Sequence, residues 1–337
     1  MMHDNNADSM VVGTGRFQYK AIEHWDQLPS GWEYVDVVGV ATDSQDHVYV
    51  FNRGDHPMVV FDSGGTYLTE WGAGDFVRPH GITIGPDDRI YLTDDIGHAV
   101  YEYNLKGERL KTLGPSGQPS NTGVTEFDYR SMKQAAGPYH FPTNLALASD
   151  GQMFVSDGYG NARVHRFNTE GQLIQSWGEP GDGPGQFHLP HGVFLDSNNR
   201  VFVADRENNR LQIFSTDGIF QDQWTDVVRP TNIFIDAEDN VFVSEVGKRA
   251  GLFPWMEPDP SETGGRVSIF DSKGNLMARW GGGNDPVAAT DFFVPHDVWL
   301  DSNGNIYIGE VTWAGGGNLG MVPKDCPRLR KYEKVTP

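Results

Sequence analysis

Short stretches of alternating apolar and polar residues recur along the whole chain, and each follows a turn rich in Asp, Asn or Gly. Such turn residues tolerate tight hairpins, and the β-branched and aromatic residues after them suit a pleated, half-buried surface. Six segments of this kind are DSQDHVYVFN, GPDDRIYLTD, SDGQMFVSDG, DSNNRVFVAD, DAEDNVFVSE and DSNGNIYIGE. A second hairpin follows most of them, so four antiparallel strands recur every roughly 40 to 65 residues. The pattern predicts an all-β fold, a six-bladed β-propeller.

The last repeat lacks one strand, whereas an unpaired strand, FQYKAIEHW, precedes the first repeat at residues 17–25. We expect this segment to become the outer strand of blade six, because that pairing closes the ring and removes an exposed sheet edge. The expected organisation is a flexible N-terminus, residues 1–15, followed by a single propeller domain, residues 16–337.

Three histidines, His80, His191 and His296, each follow a proline and occupy the same position in repeats two, four and six. The other repeats carry Gly39, Thr143 and Thr231 at this alignment position. Alternate members of a six-membered ring lie about 120° apart, so the three side chains converge on the axis. Any one of them alone is better explained as a packing residue at the start of a strand. Three in strict alternation favour a metal site, and three histidines with an open fourth position are a ligand pattern of catalytic zinc.

Composition limits the partners and the compartment. Among 337 residues, 46 are acidic and 26 basic, which gives a formal charge of −20 without any basic stripe, so nucleic acid is not an expected partner. No stretch approaches the 18 or so apolar residues that span a bilayer, and the polar N-terminus does not resemble a secretion signal. The single cysteine, Cys326, fits a reducing compartment. We expect a cytoplasmic protein that binds no membrane; its oligomeric state is not predicted.

Three segments depart from the strand pattern: residues 113–138, 248–264 and 312–325. They are long, rich in Gly, Pro and Ser, and lack alternation of apolar and polar residues. Long irregular loops in a compact domain are usually functional or disordered. If they lie on the face that carries the histidines, they wall the site.

Repeats of the form P-x-G-[IV]-x-[VL]-D, followed by a stretch such as VADRENNRLQIF at residues 203–214, resemble those of the NHL family of propellers. More specific stretches resemble the peptidyl-α-hydroxyglycine α-amidating lyases within that family. They are FNRGDH, RPHG, SDGYGNAR, LPHG, VADREN and VPHD, and the resemblance runs from about Val38 to the end of the chain.

The resemblance implies a zinc-dependent lyase that cleaves the C–N bond of an α-hydroxyglycine-type carbinolamide, or of a closely related α-hydroxy acid derivative, to an amide and glyoxylate. The substrate would be a small molecule or a C-terminal hydroxyglycine. It also implies that Tyr159, Arg53 and Arg206 surround the open coordination position as catalytic groups.

Further residues follow from the same resemblance. It implies a structural calcium ion held by the backbone carbonyls of Val40 and Ile82 and by the carboxylate of Asp297, all hard oxygen ligands. Val294 stands where the family has a methionine that lines the substrate site. His56, which closely follows Arg53, is expected beside the substrate pocket.

Tyr159 is the candidate base. A phenol in water ionises near pH 10, so taking a proton at neutral pH requires a metal ion and a guanidinium nearby. Either Arg206 or Arg53 could provide that charge while the other binds the substrate carboxylate. Structural alternatives exist: an ion pair between blades for Arg206, a pair with Asp55 for Arg53, and a buried, hydrogen-bonded ring for Tyr159.

Two other function classes remain open from the sequence. One is another metal-dependent propeller enzyme, such as a hydratase, a hydrolase or a lactonase; lactonases of this fold hold their metal mainly with carboxylate and amide oxygens. The other is a non-catalytic NHL interaction module, which the acidic composition and the three histidines disfavour. Fold alone does not decide between them.

Overall fold

The computed structural model describes residues 10–259 and 261–336, and the regular structure of these residues is almost entirely β. A hairpin comes first, β1 (Val11–Thr14) and β2 (Phe17–Ile22). Blade one contains β3 (Asp36–Thr42), β4 (Val48–Arg53), β5 (Met58–Phe61) and β6 (Tyr67–Trp71). Blade two contains β7 (Pro79–Ile84), β8 (Ile90–Asp94), β9 (Ala99–Tyr103) and β10 (Arg109–Leu113). Blade three contains β11 (Pro142–Leu147), β12 (Met153–Asp157), β13 (Arg163–Phe167) and β14 (Leu173–Trp177). Blade four contains β15 (Pro190–Leu195), β16 (Val201–Asp205), β17 (Arg210–Phe214) and β18 (Phe220–Trp224). Blade five contains β19 (Pro230–Ile235), β20 (Val241–Glu245), β21 (Arg266–Phe270) and β22 (Leu276–Gly281). Blade six contains β23 (Pro295–Leu300), β24 (Ile306–Glu310) and β25 (Leu329–Lys334).

These strands form six antiparallel sheets, which confirms the predicted six-bladed propeller. The first strand of each blade packs against the first strands of its two neighbours around the axis. Burial decreases outward: every residue of β7 and β8 is buried, whereas β6 is largely exposed.

Ring closure occurs in blade six. Strand β2 pairs with β25 there, as predicted for residues 17–25, but it is the fourth strand and β1 lies outside it as a fifth. The expectation that residues 1–15 are flexible is therefore wrong for Val11–Thr14, while residues 1–9 lie outside the described part of the chain. Phe17 and Tyr19 are buried in the core between blades five and six, so this hairpin is part of the domain.

Tryptophans at the end of fourth strands pack against an aromatic ring of the next blade. Trp71 stacks on Tyr103 at 5.2 Å between ring centres, and Trp177 and Trp280 make the equivalent contacts with Phe214 and Tyr332. These tryptophans therefore pack between neighbouring blades. Trp224 repeats the contact with Phe270 at 5.8 Å.

A β-bulge near the start of the first strand occurs in every blade. In blade two, Pro79 pairs with Asp94 and Gly81 with Thr93, so His80 is the extra residue, and the register shifts in the same way in the other five blades. The six extra residues are Val38, His80, Thr143, His191, Thr231 and His296. The residue of blade one that is equivalent to the histidines is thus Val38, one position before the Gly39 of the sequence alignment. A bulge redirects its extra residue, and in blades two, four and six it brings the three imidazoles together.

The three long loops open on one face. Each first strand begins at the face that carries the histidines. The second and fourth strands run in the opposite direction, so they end at the same face. Residues 113–138 join β10 to β11, and residues 248–264 and 312–325 join the second to the third strands of blades five and six. All three therefore lie on the histidine face, which is the condition under which they wall the site. No helix in the described ranges is long and apolar enough to cross a membrane.

Candidate active site

His80, His191 and His296 converge on the axis of the propeller. Their ring centres form a nearly equilateral triangle with sides of 4.9, 4.8 and 4.7 Å. One nitrogen from each ring lies within 4.8 Å of the other two, and all three side chains are buried. The predicted convergence of the three histidines is therefore present.

The neighbouring bulges orient these rings. Each histidine places Nδ1 on a backbone carbonyl of the following blade: His80 on Thr143 at 2.7 Å, His191 on Thr231 at 2.8 Å and His296 on Val38 at 2.7 Å. Because a carbonyl oxygen only accepts, Nδ1 carries the proton and Nε2 keeps a free lone pair. The Nε2 atoms of His80 and His296 are buried without any hydrogen-bond partner in the described chain.

This donor set fits a metal ion. Burial, together with the other imidazoles and nearby arginines, holds the pKa of His80 and His191 well below the ordinary value, and burial lowers the pKa of His296 to about 3. The rings are therefore neutral at pH 7, which is the ligand form of histidine. A ligating histidine typically donates its other N–H to a carbonyl or carboxylate, as all three do here. A buried imidazole nitrogen without a partner is otherwise costly.

Tyr159 and Arg206 lie directly beside the histidines. The Tyr159 hydroxyl donates to Nε2 of His191 at 3.1 Å and accepts a 3.3 Å bond from Nη1 of Arg206. Arg206 is only 1% exposed, and its Nη2 is buried without a partner in the described chain. Its charge is balanced by Glu207, which accepts from Nε of Arg206 at 2.8 Å and from Arg229 at 3.1 Å. Arg206 therefore has one terminal nitrogen free for a ligand.

Arg53 reaches the same pocket from blade one. Its Nε donates to the carbonyl of Pro79 at 3.0 Å, while its terminal nitrogens lie 3.7 Å from Asp36 and 3.9 Å from Asp95, beyond hydrogen-bond distance. Asp95 is instead engaged by Arg78, whose Nε and Nη2 both donate to it. Arg53 and Arg78 thus lie beside two buried carboxylates, and the terminal nitrogens of Arg53 make no hydrogen bond to either of them. The predicted alternative, a pair of Arg53 with Asp55, is not among the ion pairs of the described residues.

The position of Arg53 is exceptional within the repeat. The last residue of the second strand is acidic in the other five blades: Asp94, Asp157, Asp205, Glu245 and Glu310. Each of these carboxylates accepts backbone N–H groups from the segment that precedes a first strand. Blade one differs, because Arg53 takes the acidic position. Its pairing partner Asp36, the first residue of β3, accepts the backbone N–H groups of Trp313 and Ala314 from blade six. The arginine is therefore free of the structural role that its equivalents perform.

The pocket above the histidines has a volume of about 230 Å³, which suits a ligand smaller than a typical drug molecule. Its walls include His296, Tyr159 and three arginines, together with all three long loops: Phe127 from residues 113–138, Phe253 from 248–264 and Ala314 from 312–325. Val294 also lines it. Although the chain is strongly acidic overall, the charged groups that line the pocket are Arg53, Arg78 and Arg206 with one exposed carboxylate, Glu126. The pocket therefore favours an anionic ligand.

Asp297 lies on the axis next to the histidines. Its Oδ2 accepts the backbone N–H of Val40 at 2.8 Å, and its Oδ1 accepts from Val298 and from the Asn232 amide. A Cβ added at Gly39 would lie 2.6 Å from the Ile82 side chain and 3.2 Å from Oδ2 of Asp297, so only glycine fits between these two residues. Burial raises the pKa of Asp297 to about 7, opposed by these hydrogen bonds and by no basic side chain of the described chain. A buried carboxylate without a counter-charge is a suitable cation ligand.

One predicted residue lies elsewhere, and others were missed. His56 stacks on Trp32 and hydrogen-bonds to Glu70, and it is not among the residues that line the pocket. Four residues in or beside the pocket were not predicted as site residues: Arg78, Asp95, Glu207 and Phe253. Arg78 directly precedes Pro79 and His80, which was the one available signal. No local signal marks Asp95, Glu207 or Phe253, because their contacts are with residues distant in sequence.

Comparisons with known proteins agree with this architecture. The model of the NHL repeat matches residues 187–214. Peptidyl-glycine alpha-amidating monooxygenase of Mus musculus is 30% identical over 310 residues, which cover 81% of this chain but 29% of that protein. Peptidyl-alpha-hydroxyglycine alpha-amidating lyase 1 of Drosophila melanogaster is 30% identical over 262 residues, 72% of this chain and 44% of that protein. The chain thus spans less than half the length of these two relatives.

Two further comparisons bear on the family. NHL repeat-containing protein 3 of Mus musculus is 32% identical over 265 residues, covering 73% of this chain and 69% of that protein. A gluconolactonase of Xanthomonas campestris shares the fold with a TM-score of 0.61, at 14% identity, over 94% of this chain and 90% of that one. The chain belongs to the NHL-repeat family of β-propellers, and within that family it resembles the peptidyl-α-hydroxyglycine α-amidating lyases.

Proposed function

We propose that this protein is a zinc-dependent lyase that cleaves the C–N bond of an α-hydroxyglycine-type carbinolamide, releasing an amide and glyoxylate. The observation that carries the proposal is the trio of neutral, buried imidazoles with Nδ1 fixed on backbone carbonyls and Nε2 directed to the axis. All three ligands are nitrogens. A lactonase-type metal site, built mainly from carboxylate and amide oxygens, is therefore the less favoured alternative, and the lyase-named relatives support the same choice.

The arginines receive separate roles in this proposal. Arg53 binds the substrate carboxylate, because its two terminal nitrogens make no hydrogen bond to the nearby carboxylates and a guanidinium presents a planar pair of donors. Arg206 acts on Tyr159, because its Nη1 already contacts the phenolic oxygen. Its positive charge stabilises a phenolate there.

Tyr159 carries the proton in the proposed reaction. Its phenolic oxygen removes the proton of the substrate α-hydroxyl, the C=O bond of glyoxylate forms, and the C–N bond breaks. The same oxygen returns the proton to the departing amide nitrogen, so no proton is consumed overall. When bound, zinc would make the α-hydroxyl more acidic and thereby ease the first transfer. The loops that enclose the pocket exclude water from it.

A structural calcium ion on Asp297 and the carbonyls of Val40 and Ile82 is part of the proposal, supported by the buried carboxylate without a counter-charge. The peptide or small-molecule nature of the natural substrate, a cytoplasmic location and the lack of nucleic-acid and membrane partners stay predictions.

The decisive experiment measures metal and product together. Purified protein loaded with zinc should hold about one zinc per chain and release glyoxylate from α-hydroxyhippurate. The variant His80→Asn should lose zinc binding and glyoxylate release. The control variant His47→Asn, in a surface hairpin, should retain zinc binding and glyoxylate release. Zinc-loaded protein that releases no glyoxylate contradicts the lyase proposal, and a protein that binds no zinc contradicts the metal site.

A further inference from the structure

One loop supplies four adjacent residues of the apolar part of the pocket. Leu252, Phe253, Pro254 and Trp255 of the segment 248–264 form an apolar wall beside the arginines. Leu252, Phe253 and Trp255 are half-buried. They therefore present apolar surface that a ligand can remove from water.

Stacking holds this apolar wall in place. The rings of Phe253 and Trp255 are parallel within 4°, with their centres 4.7 Å apart. Arg130, from the loop 113–138, lies 4.1 Å above Trp255, and Tyr129 contacts Phe253 at 5.3 Å. On the pocket side, Arg206 lies 5.4 Å from the centre of the Phe253 ring. Two loops thus interlock through aromatic and cation–π contacts, so the wall is formed before any ligand arrives.

The apolar wall offers little to a peptide chain. The carbonyl of Phe253 already accepts the N–H of Met256 at 3.0 Å, and Pro254 has no N–H. The indole N–H of Trp255 is the one polar side-chain group of the four residues. A peptide unit packed against the side chains of Leu252, Phe253 and Trp255 would lose water from its N–H and C=O groups, at a cost that an aryl or alkyl group does not incur.

We propose that the acyl group of the substrate is one apolar group, with an aryl ring preferred, rather than a peptide chain. This inference rests on the lyase function proposed above. A carbinolamide has the form R–CO–NH–CH(OH)–COO⁻, and with the carboxylate on Arg53 and the hydroxyl at the axis, R is the part left to contact Phe253. The site accordingly selects N-acyl-α-hydroxyglycines with an uncharged apolar R.

Three substrates test this inference on zinc-loaded protein: the α-hydroxyglycines carrying N-benzoyl, N-acetyl and N-acetylglycylglycyl groups. The value of kcat/KM should be at least about tenfold higher for the benzoyl compound than for the other two, given the apolar area of a phenyl ring. Phe253→Ala should reduce the benzoyl-to-acetyl ratio to about two or less, while Phe253→Leu should keep most of it. Ile219→Ala, at an exposed hairpin turn, serves as the control for a lost apolar side chain.

Binding separates this inference from the lyase proposal. N-benzoylglycine and N-acetylglycine lack the hydroxyl group and do not react, so calorimetry with both reports the acyl preference without turnover. Equal affinities, or a peptide substrate that reacts as fast as the benzoyl compound, overturn the acyl inference. Tighter binding of N-benzoylglycine with no glyoxylate from any substrate overturns the lyase function and supports the apolar acyl site.

Discussion

Glu207→Gln should be among the most damaging single substitutions near the pocket. The Glu207 carboxylate accepts from Arg206 at 2.8 Å and from Arg229 at 3.1 Å, and the three side chains are between 2 and 10% exposed. Glutamine keeps the shape but removes the charge. Two buried guanidiniums then face each other without a counter-ion.

The magnitude follows from this burial. Removing one partner from a buried ion pair costs about 3 to 5 kcal/mol, because the remaining charge stays desolvated. Burial raises the pKa of the Glu207 carboxyl, but Arg206 and Arg229 outweigh that effect and hold the pKa below its ordinary 4.5. A carboxyl with a depressed folded pKa stabilises the fold above the unfolded pKa and loses that contribution as the pH falls. We therefore expect a loss of about 3 kcal/mol at pH 7 that diminishes below about pH 4.5.

Urea denaturation followed by tryptophan fluorescence measures this loss. The matched control is Glu238→Gln, which breaks the exposed pair with Arg16 and should leave the midpoint unchanged. Because Arg206 contacts Tyr159, Glu207→Gln should also reduce kcat/KM for glyoxylate release by about 100-fold. If Glu207→Gln unfolds at the same urea concentration as Glu238→Gln, the ion-pair reasoning is wrong.

The remaining predictions concern the base, the axial carboxylate and ring closure. Tyr159→Phe should lower kcat by about 100-fold or more and leave zinc content unchanged; a variant that retains full kcat excludes Tyr159 as the base. In metal-free protein, the pKa of Asp297, raised to about 7, makes the folded state hold a proton that the unfolded state releases. As the pH rises from about 4 to 7, the wild type should therefore lose about 1.4 kcal/mol of unfolding free energy per pH unit relative to Asp297→Asn. Added calcium should restore this lost stability. Parallel stability-versus-pH profiles of the two proteins would contradict the prediction. Deleting residues 1–25 should lower the melting temperature by more than about 10 °C, since Phe17 and Tyr19 leave the core; an unchanged melting temperature excludes the observed closure.

Local chemistry explains why the architecture was predictable. Each hairpin turn and each apolar alternation depends on residues a few positions apart. The sequence therefore shows the six repeats, the closure in blade six and the alternation of His80, His191 and His296. The exception at Arg53 was also visible, because the other second strands end in acidic residues. The same local logic misjudged Val11–Thr14, since what orders this strand is its pairing with β2 at the far edge of blade six.

The amino-acid sequence by itself determined the fold class, the number of blades and which three imidazoles could meet. Only the tertiary structure decided how they meet: a bulge in every first strand directs the side chain, and a carbonyl of the next blade fixes the free nitrogen. The same holds for the arginine pair on Asp95, the balance of Arg206 by Glu207 and the apolar wall at Phe253. These contacts join residues of different blades and loops, and their energies depend on burial, which exists only once the ring has closed.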